Sequence, residues 1–183
     1  MDAGLAAILA GCFPPVEDAR KDGLLCHGGD LSVERLVAGY SRGIFPWYDE
    51  TTPILWWSPD PRCVLPPENF HLPRRSARAI RHACFRLTWD EAFEDVISAC
   101  AAPRPAGDGT WLVPEMRSAY TELHRQGYAH SVETWLDGQL VGGLYGVGLG
   151  RAFFGESMFH RVSEASRAAL SATTRDVLEW RVE

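Results

Sequence analysis

Glu156, a belt of arginines and a scatter of tryptophans are the residues here whose types and spacing could do chemistry. Glu156 lies in Gly155-Glu156-Ser157-Met158-Phe159, closing an apolar stretch. A carboxylate in such a place costs free energy unless it has a partner or a task. It therefore reads either as a semi-buried structural glutamate or as a proton acceptor. Gly155-Glu156-Ser157 is also the beginning of a G-x-S-x-G pattern, but Phe159 occupies the place of the final glycine and no strand-to-helix turn follows. Ser157 is accordingly not read as a nucleophile.

Arg74, Arg75, Arg78, Arg81 and Arg86 come with His71 and His82, and no acid lies between Glu68 and Asp90. On a helix, Arg74, Arg78 and Arg81 share one face. A merely solvated face usually interleaves acids with its bases, whereas an unbroken basic stripe suits a phosphate backbone. Among the rings Trp47, Tyr48, Trp56, Trp57, Trp111 and Tyr120, core packing is the ordinary use. Trp47 and Trp111 stand beside loop-forming residues, where a ring can stack on an exposed base.

The elements that must position these groups follow from periodicity and punctuation. The spacing predicts helices over 31–42, 74–82, 90–100, 114–126 and 163–179, with Asp30 or Ser32 capping the first and Ser163 the last. Gly43 and Gly127 are the expected stops of the first and fourth. The proline- and aromatic-rich stretch 44–65 reads as short extended pieces and turns, and 103–109 as a loop. A period of two then predicts strands over 129–136, 140–147 and 151–158, with Asp137-Gly138 turning the first hairpin. Helices, an antiparallel meander and a closing helix give an α+β chain, with a domain boundary expected near Pro59–Pro61.

Composition narrows the function. A net charge of −6 excludes coating nucleic acid by bulk positive charge and leaves only local patches. Lys21 is the only lysine; arginine's planar fork suits phosphate, although a GC-rich coding bias produces the same skew. Cys12, Cys26, Cys63, Cys84 and Cys100 form no C-x-x-C, and the histidines show no metal-ligand spacing. Gly142, Gly143, Gly146, Gly148 and Gly150 are neither a dinucleotide fingerprint nor a P-loop and suit close backbone approach. Leu9-Ala10-Gly11-Cys12 imitates a lipoprotein cleavage box, but Asp2 is acidic and no base precedes Cys12. The reading is a cytoplasmic protein with no metal and no coenzyme.

Eight strings, in order, carry a resemblance. They are Asp22-Gly23-Leu24-Leu25, Gly28-Gly29-Asp30-Leu31, Tyr40-Ser41-Arg42-Gly43-Ile44-Phe45-Pro46-Trp47, Leu55-Trp56-Trp57-Ser58-Pro59-Asp60-Pro61-Arg62, Gly109-Thr110-Trp111, Gly127-Tyr128-Ala129-His130-Ser131-Val132-Glu133, Val141-Gly142-Gly143-Leu144-Tyr145-Gly146-Val147 and Phe154-Gly155-Glu156-Ser157-Met158-Phe159. The chain resembles the leucyl/phenylalanyl-tRNA–protein transferases over about 13–170. The resemblance implies a small N-terminal domain (1–60) and a catalytic domain (61–183) of the N-acetyltransferase (GNAT) type, with an antiparallel or mixed sheet. It implies an aminoacyltransferase, a leucyltransferase that takes Leu, Phe or Met from aminoacyl-tRNA and places it on proteins beginning with Arg or Lys, marking them for protein degradation by the N-degron pathway. It further implies that Trp47 and Trp111 hold the terminal adenosine, with Tyr120 nearby at the aminoacyl-adenosine site. Leu144, Phe153 and Gly155 would line the side-chain pocket, and Glu156 would hold or deprotonate the attacking amine. Arg74, Arg75, Arg78 and Arg81 would grip the tRNA.

The family pattern continues beyond the helix expected from Ser163, with further strands and an Asp-Cys-Gln segment. Residues 171–183 match it weakly and contain no Asp-Cys-Gln, so the expectation is a catalytic domain lacking its C-terminal part. Two alternatives follow. One is a homologue that only binds aminoacyl-tRNA. The other is an acetyl-CoA-dependent acyltransferase, which calls for a glycine-rich turn from strand into helix.

Overall fold

The computed structural model describes residues 13–102 and 112–179. The Leu9-Ala10-Gly11-Cys12 box, the 103–109 loop and Trp111 lie outside them. The described chain is α+β: five α-helices and two antiparallel sheets, divided between two compact units.

The first unit comprises the described residues up to Cys63 together with 112–123. Its sheet has three strands, β1 (Leu24–His27), β2 (Phe45–Pro46) and β3 (Leu55–Trp57), in the order β1-β3-β2. Trp56, on the central strand, is fully buried. Phe13 meets it edge-on at 4.7 Å, and its indole N–H donates to the Gly28 carbonyl at 2.9 Å. Helix α1 (Val33–Tyr40) begins where Ser32 Oγ accepts the Arg35 amide, so Ser32 rather than Asp30 is the cap. Asp30 instead accepts the Ser32 amide. The helix buries Leu36, Val37 and Tyr40. It ends as Gly43 takes a φ of +75°, a conformation open to glycine without a Cβ penalty.

Helix α4 (Pro114–Arg125) gives its first ten residues to this unit and its last two to the other. Met116, Tyr120 and Leu123 form its buried stripe, at the spacing expected of an amphipathic helix. Gly127, at a φ of +77°, follows it.

The second unit comprises 64–102 and the described residues from 124. Strands β4 (Arg86–Trp89), β5 (Ala129–Leu136), β6 (Gln139–Leu149) and β7 (Ala152–His160) form one antiparallel sheet in the order β4-β5-β6-β7. Asp137 and Gly138 both take positive φ between β5 and β6, the geometry a tight hairpin requires. On one face lies α5 (Ala165–Glu179), whose Ala165, Ala168, Ala169 and Ala172 are buried. On the other lies α3 (Phe93–Ala101), with Phe93, Val96 and Ile97 buried.

The glycines of β6 explain how close these helices come. A Cβ on Gly142 would stand 2.5 Å from Ala165 Cβ, and one on Gly143 would stand 3.2 Å from Val96 Cγ2. Helix α2 (Arg74–Ala83) completes the unit.

Four expectations need correction. Helix α3 begins at Phe93, not at residue 90, because Asp90 takes a φ of +57° and its amide pairs with the Ser131 carbonyl across the sheet. Helix α5 begins at Ala165, with Glu164 at a φ of +69° accepting the first helical bond from the Ala168 amide. Ser163 therefore lies outside the cap position. Strands β1 and β4 were not expected: each is four residues long, too short for a period of two to show.

Candidate functional site

Strands β6 and β7 pair Leu144 with Met158, Tyr145 with Ser157, Gly146 with Gly155 and Gly148 with Phe153. Between the second and third of these pairs β7 carries one residue more than β6, and that residue is Glu156. Glu156 is thus the extra residue of a β-bulge, a device that bends a strand and re-aims a side chain. Because side chains alternate faces, the bulge resets the parity of everything before it. Phe153 and Gly155 consequently share a face with Leu144, the face covered by α5. There Leu144 packs with Val132, Ala169 and Ala172, and Phe153 packs against that group. Gly146 leaves room for the Phe153 ring, whose Cε1 would be 2.6 Å from a Cβ on Gly146. Gly155 has open space where a side chain would stand.

A second carboxylate in the same sheet behaves differently. Glu133 on β5 is fully buried. It accepts hydrogen bonds from Thr88 Oγ1 and Ser131 Oγ, each at 2.5 Å, and from the Ala92 amide at the entrance to α3. These donors satisfy a buried carboxylate and tie β4, β5 and α3 together. Its role is structural.

Beside it, Asp90 Oδ2 accepts His130 Nδ1 at 2.7 Å, Oδ1 accepts the Ser131 amide at 2.8 Å, and His124 Nδ1 lies 3.7 Å away. Burial works against the Asp90 charge, but the His130 and Ser131 hydrogen bonds outweigh it and hold the carboxyl below its ordinary range. The Asp90 hydrogen bond, against the opposing effect of burial, raises His130 above its ordinary value, and the Gly127 backbone adds to the rise. The sequence reading missed this cluster; the readable signal was an Asp and a His both adjoining element ends.

In the first unit Trp47 is half exposed, at 49%. Its ring meets Trp57 edge-on at 5.6 Å, and its carbonyl accepts the Trp57 indole N–H at 2.7 Å. The backbone is fixed while a ring face stays accessible. Tyr120 is fully buried, its hydroxyl 2.5 Å from that of Tyr40. Tyr48 donates to Glu115 at 3.1 Å; burial and that carboxylate raise its pKa strongly.

On α2, Arg74, Arg75, Arg78 and Arg81 are all exposed, and Ser76 is the helix's buried residue. Arg86 does not join them: it pairs with Glu91 at 2.9 Å and lies over the Trp135 ring. Among the described residues no cluster of His, Cys, Asp and Glu could hold a metal ion, and no helix is long and apolar enough to cross a membrane.

The structure therefore brings Leu144, Phe153 and Gly155 to one face of one sheet with Glu156 at its bulge, gathers the four arginines on one helix, and places Trp47 and Tyr120 in the other unit.

The chain was compared with known families and proteins. The family model described as leucyl/phenylalanyl-tRNA protein transferase matches residues 64–183, and that of the same family's N-terminal domain matches 29–60. A leucyl/phenylalanyl-tRNA–protein transferase of Nitratidesulfovibrio vulgaris (strain DP4) is 59% identical over 169 residues, covering 92% of this chain and 72% of the relative. One of Aromatoleum aromaticum is 61% identical over 160 residues, covering 86% and 68%. One of Saccharophagus degradans is 52% identical over 170 residues, covering 92% and 70%. The chain belongs to the leucyl/phenylalanyl-tRNA–protein transferase family.

Proposed function

We propose that this chain is an aminoacyltransferase that moves Leu, Phe or Met from aminoacyl-tRNA to the α-amine of proteins beginning with Arg or Lys, marking them for N-degron degradation in the cytoplasm. Family membership supports the reaction. The observation that carries the assignment of residues is the bulge at Glu156, beside a face bearing Leu144, Phe153 and Gly155.

The ester linking an amino acid to tRNA is already activated, so no enzyme nucleophile is needed. The acceptor amine, with a pKa of roughly 8, is neutral often enough to attack. Its nitrogen forms the new bond to the ester carbonyl carbon. The carbon–oxygen bond to the terminal ribose breaks, and the ribose oxygen leaves. Glu156 takes the amine's proton and returns one to that oxygen. Leu144 and Phe153 supply an apolar wall for an unbranched-at-Cβ side chain, and open space at Gly155 admits its end. Trp47 and Trp111 hold the terminal adenosine, and the buried Tyr120 backs the first unit through its hydrogen bond with Tyr40. Arg74, Arg75, Arg78 and Arg81 take tRNA phosphates.

The sheet with helices on both faces suits an N-acetyltransferase-type catalytic domain, here residues 61–183 after a small domain of 1–60. The glycines of β6 lie inside a strand, where they do not form a pyrophosphate loop leading into a helix.

Transfer of labelled leucine from leucyl-tRNA to an Arg-initiated peptide tests the reading. We expect transfer by the 183-residue chain and a loss of about 100-fold or more in Glu156→Ala, the scale of a general base. Equal transfer by the variant would remove Glu156 from the chemistry, and absence of transfer by the folded chain would remove the function.

A further inference from the structure

Helix α2 is an unlikely helix to stay in place. Its N-terminal flank is Pro73, with no side-chain cap, and no acid stands in its first turn. Arg74 and Arg75 instead put two positive charges at the positive end of the helix dipole. Its first three amides have no carbonyl within the helix. Ser76 alone is buried, so the apolar hold on this helix is slight.

The missing acid comes from another element. Glu164 precedes α5 at a φ of +69°, a region a residue with a Cβ enters at a cost. Its side chain is only 15% exposed. One carboxylate oxygen accepts Arg167 Nη1 at 2.9 Å, and that same nitrogen lies 3.4 Å from Ser76 Oγ. The other oxygen, Oε2, is buried. Burial resists the charge, but Arg167, Ser76 and Arg75 lower the carboxyl's pKa overall. A strained backbone thus carries a carboxylate with one buried oxygen to the uncapped, arginine-bearing end of α2.

We propose that Glu164 is the positioning residue of the arginine helix, supplying from α5 the N-terminal negative charge that α2 lacks and fixing its basic face through Arg167 and Ser76. This rests on the reading that α2 grips tRNA. Arg167 joins the two helices and extends the basic surface from α2 onto α5.

The test has a sign that a simple charge effect lacks. Deleting a carboxylate beside a phosphate-binding patch should tighten tRNA binding if only net field matters. Deleting a positioning group should weaken it. Glu164→Gly removes the carboxylate and also relieves the backbone, so folding is not at risk from strain. Glu164→Gln keeps an oxygen that can accept from Arg167.

In the full chain, we expect Glu164→Gly to raise the Kd and KM for leucyl-tRNA about ten-fold, the scale of one charge-assisted hydrogen bond, with kcat unchanged. Glu164→Gln should lose less, about three-fold. Amide hydrogen exchange along α2 should quicken in Glu164→Gly. Binding equal to or tighter than wild type, or a fall in kcat at constant KM, would overturn the proposal. If the wild-type chain binds no leucyl-tRNA, the tRNA reading fails by itself. Exchange along α2 then still decides the positioning role, and unchanged protection in Glu164→Gly would overturn it.

Discussion

The two sheets of this protein bury their central strands by opposite means. In the three-stranded sheet the middle strand carries Trp56, a large ring around which Phe13 and the Gly28 carbonyl are arranged. In the four-stranded sheet β6 instead presents Gly142, Gly143 and Gly146, and its neighbours come to the backbone itself. One sheet is held by volume and the other by the absence of it. Volume fails when it is removed, and absence fails when it is filled. The second arrangement also leaves the Phe153 ring lying across a glycine, beside the bulge that holds Glu156.

The largest effect expected from breaking this contrast is at Trp56. Trp56→Ala should lower stability by about 3–5 kcal/mol, as truncation of a buried large aromatic does. Denaturant melts would show it, and a loss below about 1 kcal/mol would mean that the first unit does not depend on that ring.

Next is Gly142→Ala. The added methyl meets Ala165 Cβ at 2.5 Å and that residue's backbone carbon at 2.9 Å, so α5 must move. A loss of about 1–3 kcal/mol is expected, whereas the same change at Gly155, where nothing lies within 4 Å, should be near neutral to stability. Equal losses at the two positions would break the account of β6.

The smallest effect concerns Asp90 and His130, which link the end of β4 to β5. Asp90's folded pKa lies below its ordinary 3.8, so its contribution is present above about pH 4 and is lost as pH falls through the folded value. His130's lies above its ordinary 6.5, so its contribution is complete below about pH 6.5 and fades as pH rises through the folded value. Stability from this pair should therefore be greatest between about pH 4 and 6.5, by under about 1 kcal/mol. Asp90→Asn should flatten that part of the pH profile of unfolding; an identical profile would assign the titration elsewhere.

Much of this was legible in the sequence, and the reason differs by element. Helix α4 and strands β5 and β6 announce themselves because their periodicity runs for eight residues or more. The glycine series was readable as close approach, since a glycine run inside a strand has few other uses. Arg74, Arg78 and Arg81 were readable as one face because a helix makes spacing into geometry. Glu156 was singled out by the cost of a carboxylate in an apolar strand, but its bulge was not, because a bulge is a property of two strands in register. Asp90, Glu133 and Glu164 escaped for a related reason: their partners lie 40, 45 and 88 positions away at His130, Thr88 and Ser76, and no local pattern records such pairings.

The bulge at Glu156 also changes what kind of alteration β7 can absorb. A substitution there alters one side chain. Were the ladder to run on without the bulge, with Glu156 opposite Gly146, Phe153 and Gly155 would turn to the opposite face of the sheet from Leu144. Which face Phe153 presents is therefore set by one residue held out of the ladder, a property of how two strands pair and not of any single side chain.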